Sequence, residues 1–438
     1  MRITYLSGPK GENEMLTTRK VEEYIALLRR ELIPALGCTE PIAIAYAAAR
    51  ARRILGCMPT AITAYCSGNI IKNVKSVIVP TTNGLRGIDT SALLGALAGD
   101  PDLGMEVLRN VLPTQVEEVR RLREQAICKV VPLQGQANLH IILEAKTDSH
   151  TALVEIRDAH TNVVREEKDG IPVSAAEAGN TEKTERENTA CDLNMADIYQ
   201  FAKEVEIDRI APILRPQIQY NMAIAEEGLR GEWGAQVGKT LLSANHGLSD
   251  WAAAYAAAGS DARMGGCVLP VVINSGSGNQ GLTVSLPVII YAREKSIPEE
   301  QLLRALAMSN LVALFQKSFI GKLSAYCGAV SAACGSAAGI AFLCGDSLEV
   351  IEDTVINTIA NTSGMVCDGA KASCAAKIAT AVESAFLGHE MAVQGRVFRN
   401  GEGLVKSDVD KTIETFGRMA REGMRTTDEE ILRLMVDI

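Results

Sequence analysis

Large aromatic side chains are scarce in this chain. Of 438 residues, 2 are Trp, 9 Tyr and 7 Phe, or 4% in all, although hydrophobic residues reach 47%. Alanine and glycine must therefore carry much of the packing, which predicts closely packed helices rather than aromatic-rich sheets. No block of lysines and arginines stands out, and the formal net charge is -9. This charge does not suit a phosphate backbone, and no nucleic-acid partner is expected. The opening "MRITYLSGPKGENEM" lacks a basic stretch followed by an apolar run, so no signal peptide is visible and a cytoplasmic location is expected. In that compartment the 11 cysteines are thiols or ligands rather than disulfides. No two of them are separated by two residues, which excludes zinc-knuckle, ferredoxin-like and CxxC redox patterns. Any metal site must be assembled from distant segments. "GAQVGKT" also fails as a phosphate loop, because Trp233 stands where the first glycine belongs.

The one uncharged run long enough to cross a bilayer, residues 323–345, is mostly Ala, Gly, Ser and Cys. Those residues do not drive insertion, so the run is expected to be a buried helix and no membrane partner is expected.

The length suits two or three domains. "TTRKVEEYIALLRRELIPAL" has apolar residues at helical spacing behind a capping threonine. A second helix, "TEPIAIAYAAARARRIL", follows with Thr39 as the expected N-cap and Pro41 in its first turn, which puts Cys38 at a helix N-terminus. After Asp100 the pattern becomes an amphipathic helix and then a stretch that alternates like a three-strand meander. Beyond residue 192 helical patterns dominate. The expected fold is therefore α+β: a mainly helical catalytic domain built from both ends of the chain, residues 15–100 plus 192–438, with a small α+β domain inserted at 101–173. Residues 1–14 read as an N-terminal extension and 174–191 as a polar linker.

The stretch "NTSGMVCDGAKASCAAK" holds Cys367 and Cys374, seven residues apart. On one continuous helix they would be roughly 10 Å apart along the axis, too far to share a small ion. Gly364, Asp368 and Gly369 disfavour a helix there, whereas "AKASCAAKIATAVESAFL" forms a good one. Cys367 then lies on an approach loop and Cys374 in the first turns, so both sulfurs can face one centre near positive helix-end potential. "SAYCGAVSAACG" offers a third thiol in Cys327 or Cys334. Three thiolates suit an iron-sulfur cluster better than a closed structural zinc. Cys57, Cys128, Cys191 and Cys344 read as small core residues. His140, His150 and His160 read as surface residues of the inserted domain, and His246 and His389 as structural histidines.

Together "GCTEP", "NSGSGNQG", "AYCGAVSAACG" and "NTSGMVCDGAKASC" resemble, in this order, motifs of the L-cysteine desulfidase family, which is related to the alpha part of bacterial iron-sulfur L-serine dehydratases. The likeness runs over nearly the whole chain from about Met15. It implies an oxygen-sensitive 4Fe-4S lyase that converts L-cysteine to pyruvate, ammonia and sulfide, with L-serine as the alternative substrate. Carried onto these positions, the cluster ligands would be Cys327, Cys367 and Cys374. Cys38, within "GCTEP", would be the catalytic base through a thiol acidified by its helix end, or else a fourth ligand that substrate displaces. In the serine dehydratases a C-terminal cysteine fills that resting role, and this chain ends in "RLMVDI" without one. The "SGSGNQG" loop would hold the substrate carboxylate through Ser277, Asn279 and Gln280. Lys371 would attract that carboxylate or neutralise the cluster. The same loop is similar to the serine-glycine-asparagine loop of pyridoxal phosphate dehydratases, which supplies a runner-up class, although no early lysine precedes it in the usual order. A homodimer is left open.

Overall fold

The computed structural model describes residues 16–133, 138–173, 192–244 and 247–436. The expected N-terminal extension, the linker at 174–191, Cys191 and His246 lie outside these residues.

Helix α1 (Thr18–Glu31) starts where the Thr17 hydroxyl accepts from the Lys20 amide, and it buries Tyr24, Ile25 and Leu28. The short strand β1 (Pro34–Leu36) leads into α2 (Thr39–Leu55). Cys38, not Thr39, occupies the N-cap position, and Thr39 is already helical. The Thr39 hydroxyl donates instead to the Glu40 carboxylate at 3.0 Å, so the capping hydroxyl serves the neighbouring side chain rather than the helix amides.

Strand β2 (Ala61–Ser67) is followed by α3 (Gly68–Val74), α4 (Ile88–Ala98) and α5 (Pro113–Glu124), then by β3 (Cys128–Leu133), β4 (His140–Lys146), β5 (Thr151–Arg157), β6 (Val163–Lys168) and β7 (Ile171–Pro172). These strands form one mixed sheet of order β3-β2-β4-β5-β6-β7, parallel only between β2 and β3. The meander expected from the alternation is β4-β5-β6. Its partner β2 comes from residues 61–67, ahead of the 101–173 segment, and ties the sheet to the first helices. Alternate residues of β4 and β5 are buried, and α2 packs against both strands. In turn α2 lies close on α4: a methyl group placed on Gly95 would sit 2.2 Å from the Ala45 carbonyl oxygen. This contact shows how small residues substitute for aromatic packing.

The rest is helical: α6 (Met195–Glu204), α7 (Ile207–Arg230), α8 (Val237–Ala244), α9 (Leu248–Met264), then β8 (Pro270–Val272), α10 (Gly278–Glu294), α11 (Glu299–Ile320), α12 (Gly328–Leu343), α13 (Leu348–Thr362), α14 (Cys374–Val393), α15 (Val409–Arg418) and α16 (Arg425–Val436). Strand β8 pairs antiparallel with β1, joining the start of the chain to its middle. Helix α12, the core of the uncharged 323–345 run, is buried among α10, α11, α13 and α14. Among the described residues no helix is long and apolar enough to cross a membrane. The architecture is α+β and mainly helical, as the sequence patterns predict.

Candidate functional site

Four helices begin around one small cavity. Cys38 caps α2, Ser277 caps α10, Cys327 caps α12, and Cys374 opens α14. Each N-terminus presents unpaired amides and partial positive charge, so their convergence favours anionic groups. The cavity has a volume of about 100 Å³, and its walls include Cys38, Glu40, Arg263, Gln280, Lys317, Cys327, Cys367 and Cys374.

The cysteines are brought together by the backbone. Tyr326 and Val366 form an antiparallel bridge. The Cys327 amide donates to the Met365 carbonyl at 3.0 Å, and the Cys367 amide to the Ala325 carbonyl at 2.6 Å. This bridge sets the 363–373 loop beside the start of α12. The loop also passes under α3, where Gly369, at φ +94, comes so near the Lys72 carbonyl that a Cβ would lie 2.4 Å away. Cys374 then meets Cys38 in a small apolar cluster with Val77 and Met264. Cys334 is elsewhere: it is fully buried two turns along α12, roughly 10 Å from Cys327 along the axis, and does not line the cavity.

Burial first, and then the neighbouring Cys367, push the Cys327 thiol up to about 12. Burial also raises Cys374. Thiolates confined together repel one another, and a cationic centre would relieve them. Three thiols from two segments facing one cavity are a donor set that fits an iron-sulfur group.

Cys38 departs from the sequence-based expectation. Its thiol donates to the Glu40 carboxylate at 2.9 Å. Burial, then the Glu40 charge, lift its pKa well above that of an ordinary thiol, and Arg263 only partly offsets them. The helix end alone would lower it, but desolvation wins.

The "SGSGNQG" loop enters α10 through a tight turn in which Asn274 and Ser277 bridge and Ser275 and Gly276 have positive φ. The Ser277 hydroxyl accepts from the Gln280 amide at 3.5 Å. Ser277, Asn279 and Gln280 all line the cavity, and the buried Oδ1 of Asn279 and Oε1 of Gln280 have no protein partner. Lys371 does not line the cavity. Its ammonium is drawn to Asp368 at 2.5 Å and to the Gly369 carbonyl at 3.2 Å, the opposite charge lying nearer than the cavity.

Several site groups carry no local sequence signal. Glu40 is nearly buried, receives hydrogen bonds from Cys38, Thr39 and Asn73, and faces the His160 ring nitrogen at 3.9 Å. Burial alone would raise its pKa, but His160 and Cys38 hold the carboxyl down at about 2. His160 is therefore not a surface residue: it is 6% exposed, its Nε2 has no hydrogen-bond partner, and its ring packs on Gly276. The loop between β5 and β6 delivers it, so the sheet supports the cavity wall. Arg263 is 2% exposed, with Nε unpartnered and pressed against Gly278. Lys317, in the last turn of α11, is fully buried, and desolvation lowers its pKa to about 8 against the pull of Cys367 and Cys327. Two fixed cations and one fixed anion thus face the same cavity as the three sulfurs.

A thiol cluster at helix N-termini thus shares its cavity with Arg263, Lys317 and Glu40. Residues 102–433 match the serine dehydratase alpha chain family. Similar curated proteins include a UPF0597 protein of Lachnoclostridium phytofermentans, 49% identical over 95% of this chain and 100% of that protein, and one of Treponema denticola, 45% identical over 96% and 99%. The chain belongs to the serine dehydratase alpha-chain family, and its class is that of lyases of the serine dehydratase type.

Proposed function

We propose that this chain is an iron-sulfur-dependent lyase of small β-substituted L-amino acids, with L-cysteine as substrate and L-serine as the alternative, and that Cys327, Cys367 and Cys374 hold a 4Fe-4S cluster. The observation that carries the reading is the convergence of these three cysteines on the cavity that also holds Arg263 and Glu40. Cysteine is placed ahead of serine by the motif likeness. When bound, such a cluster would supply an iron without a protein ligand, a Lewis acid for the departing sulfide or hydroxide.

The chain's own groups account for the rest. Arg263, Lys317 and the amides at the start of α10 draw in the substrate carboxylate, aided by Asn279 and Gln280. Glu40, held ionised, receives the substrate ammonium. At rest the Cys38 thiol keeps its proton and donates it in a hydrogen bond to Glu40 Oε2. Passing that proton to the carboxylate leaves a thiolate that can accept the α-proton, and the proton held on Glu40 then leaves with the departing sulfide or hydroxide. Loss of the α-proton and of the β-substituent leaves aminoacrylate, which tautomerises to the imine and takes up water to give pyruvate and ammonia. A cavity of about 100 Å³ leaves little room for solvent beside the substrate.

The test is anaerobic reconstitution with iron and sulfide quantitation, coupled to pyruvate and sulfide release from L-cysteine and to pyruvate release from L-serine. The expected result is about four irons per chain with turnover, both lost in Cys367→Ala. Failure to take up iron, or absorbance of a bound pyridoxal aldimine, would overturn the reading.

A further inference from the structure

Three helices that begin at the thiol cavity run to a second cluster of metal-binding side chains. Helix α12 starts beside Cys327 and is capped at its far end by Cys344. Helix α14 starts at Cys374 and carries His389 near its end, and α10 starts after Ser277 and carries Tyr291 in its last turn. Sixteen residues separate Gly328 from Cys344, so the two clusters are roughly 24 Å apart along α12. The second cluster is therefore separate from the candidate cluster site.

Its geometry is compact. One donor atom each from Cys344, Asp346 and His389 lies within 4.8 Å of the others, the only such trio among the described residues. His389 Nε2 is 2.7 Å from an Asp346 carboxylate oxygen, and the Cys344 sulfur is 3.0 Å from the Tyr291 hydroxyl. Gly345, at φ +78, makes the sharp turn that returns Asp346 toward Cys344. Asp346 and His389 are mostly covered, with side chains 20% and 14% exposed, whereas Cys344 is open to solvent. The sequence-based expectation for Cys344, a small core residue, fails here.

Charge supplies an independent argument. The C-terminal ends of α10, α12 and α14 bring carbonyl oxygens and partial negative charge to this spot, which favours a cation. Lys295, just past α10, bears on Cys344 and partly offsets the effect of burial on its thiol.

We propose that Cys344, Asp346 and His389 form a binding site for a borderline divalent cation of the zinc class, with the fourth position left to water. A thiolate with an imidazole selects such an ion over magnesium or calcium, and one carboxylate completes a familiar zinc donor set. The ion would take the Cys344 proton's place and separate the His389 and Asp346 donors, which now share a hydrogen bond. It would tie the α12–α13 turn to α14. This proposal stands independently of the proposed lyase activity.

Cobalt(II) is the probe. Added anaerobically to the full-length protein after reconstitution with iron and sulfide has filled the thiol cavity, it should bind with one equivalent showing thiolate-to-cobalt charge transfer and tetrahedral ligand-field bands, and zinc should displace it. Cys344→Ser should abolish the charge-transfer band, and His389→Gln, which removes a ligand outright, should weaken binding by more than the roughly 10- to 100-fold typical of losing an outer-shell partner. Cys57→Ser, at an exposed cysteine outside both clusters, should leave the signal intact. Circular dichroism checks that each variant folds, and a zinc-dependent rise in Tm, present in the native protein and absent from His389→Gln, gives a second readout. An unchanged cobalt spectrum in Cys344→Ser, or no stoichiometric binding to the native protein, would overturn the proposal and leave His389 and Asp346 as a hydrogen-bonded clasp.

Discussion

The thiol of Cys38 and the carboxylate of Glu40, two residues apart at the start of α2, share a 2.9 Å hydrogen bond inside a cavity wall. The pair keeps the sulfur protonated and the carboxylate charged. Thr39 and Asn73 bind the same carboxylate, so its position is set from three directions.

Glu40 should make folding sensitive to acid. Its native pKa of about 2 lies below the ordinary glutamate value of 4.5. A depressed carboxyl adds stability above its unfolded pKa, and that stability is lost as pH falls from about 4.5 toward 2. The full effect is on the order of 3 kcal/mol, at 1.36 kcal/mol per unit. Urea denaturation at pH 6 and pH 3 should show a steeper loss for the native chain than for Glu40→Gln.

Arg263→Lys keeps the charge but removes the planar fork next to Gly278. Carboxylate recognition by two parallel hydrogen bonds is then lost, and KM for the amino acid should rise about tenfold or more with a smaller change in kcat. Steady-state kinetics of the reconstituted enzyme decide it. A variant with native KM would remove Arg263 from substrate binding.

Asp428 on α16 pairs with the ammonium of Lys72, which is 1% exposed and also reaches the Cys367 carbonyl at 3.4 Å. Asp428→Ala strands a buried cation beside the ligand loop, and the expected loss is about 3–5 kcal/mol. Denaturation midpoints measure this. Lys72→Met with Asp428→Leu should recover part of it, because no lone charge remains.

Gly95→Ala would put a methyl group 2.2 Å from the Ala45 carbonyl oxygen. Helices α2 and α4 would be forced apart, lowering stability by about 1–3 kcal/mol. Since α2 carries Cys38 and Glu40, activity should fall as well, with iron content unchanged. Thermal unfolding together with iron analysis separates the two effects.

His160→Asn should weaken the hold on Glu40 without breaking a hydrogen bond, because the ring nitrogen stands 3.9 Å from the carboxylate. The acid limb of the kcat/KM profile should move to higher pH, since less positive charge then favours the ionised carboxyl. A profile identical to that of the native chain would make His160 a packing residue only.

Much of this architecture is legible in one dimension because its causes are local. Threonine before an apolar-periodic stretch starts α1, alternation over residues 140–168 makes strands, and glycines around residues 364–369 delay α14 until Cys374. Helix starts at Cys38, Cys327 and Cys374 follow from the same local preferences. Tertiary structure alone decided what those starts face. Arg263, Lys317, Glu40 and His160 meet across long sequence separations, and a buried charge gives no periodic signal of its own. The same holds for Cys38, whose helix position predicts an acidic thiol until folding removes its water, and for Cys344, which acquires His389 as a neighbour only when α12 and α14 pack. Local propensity sets where a helix begins. Desolvation and distant charge, which depend on the packed chain, set what its first residue can do.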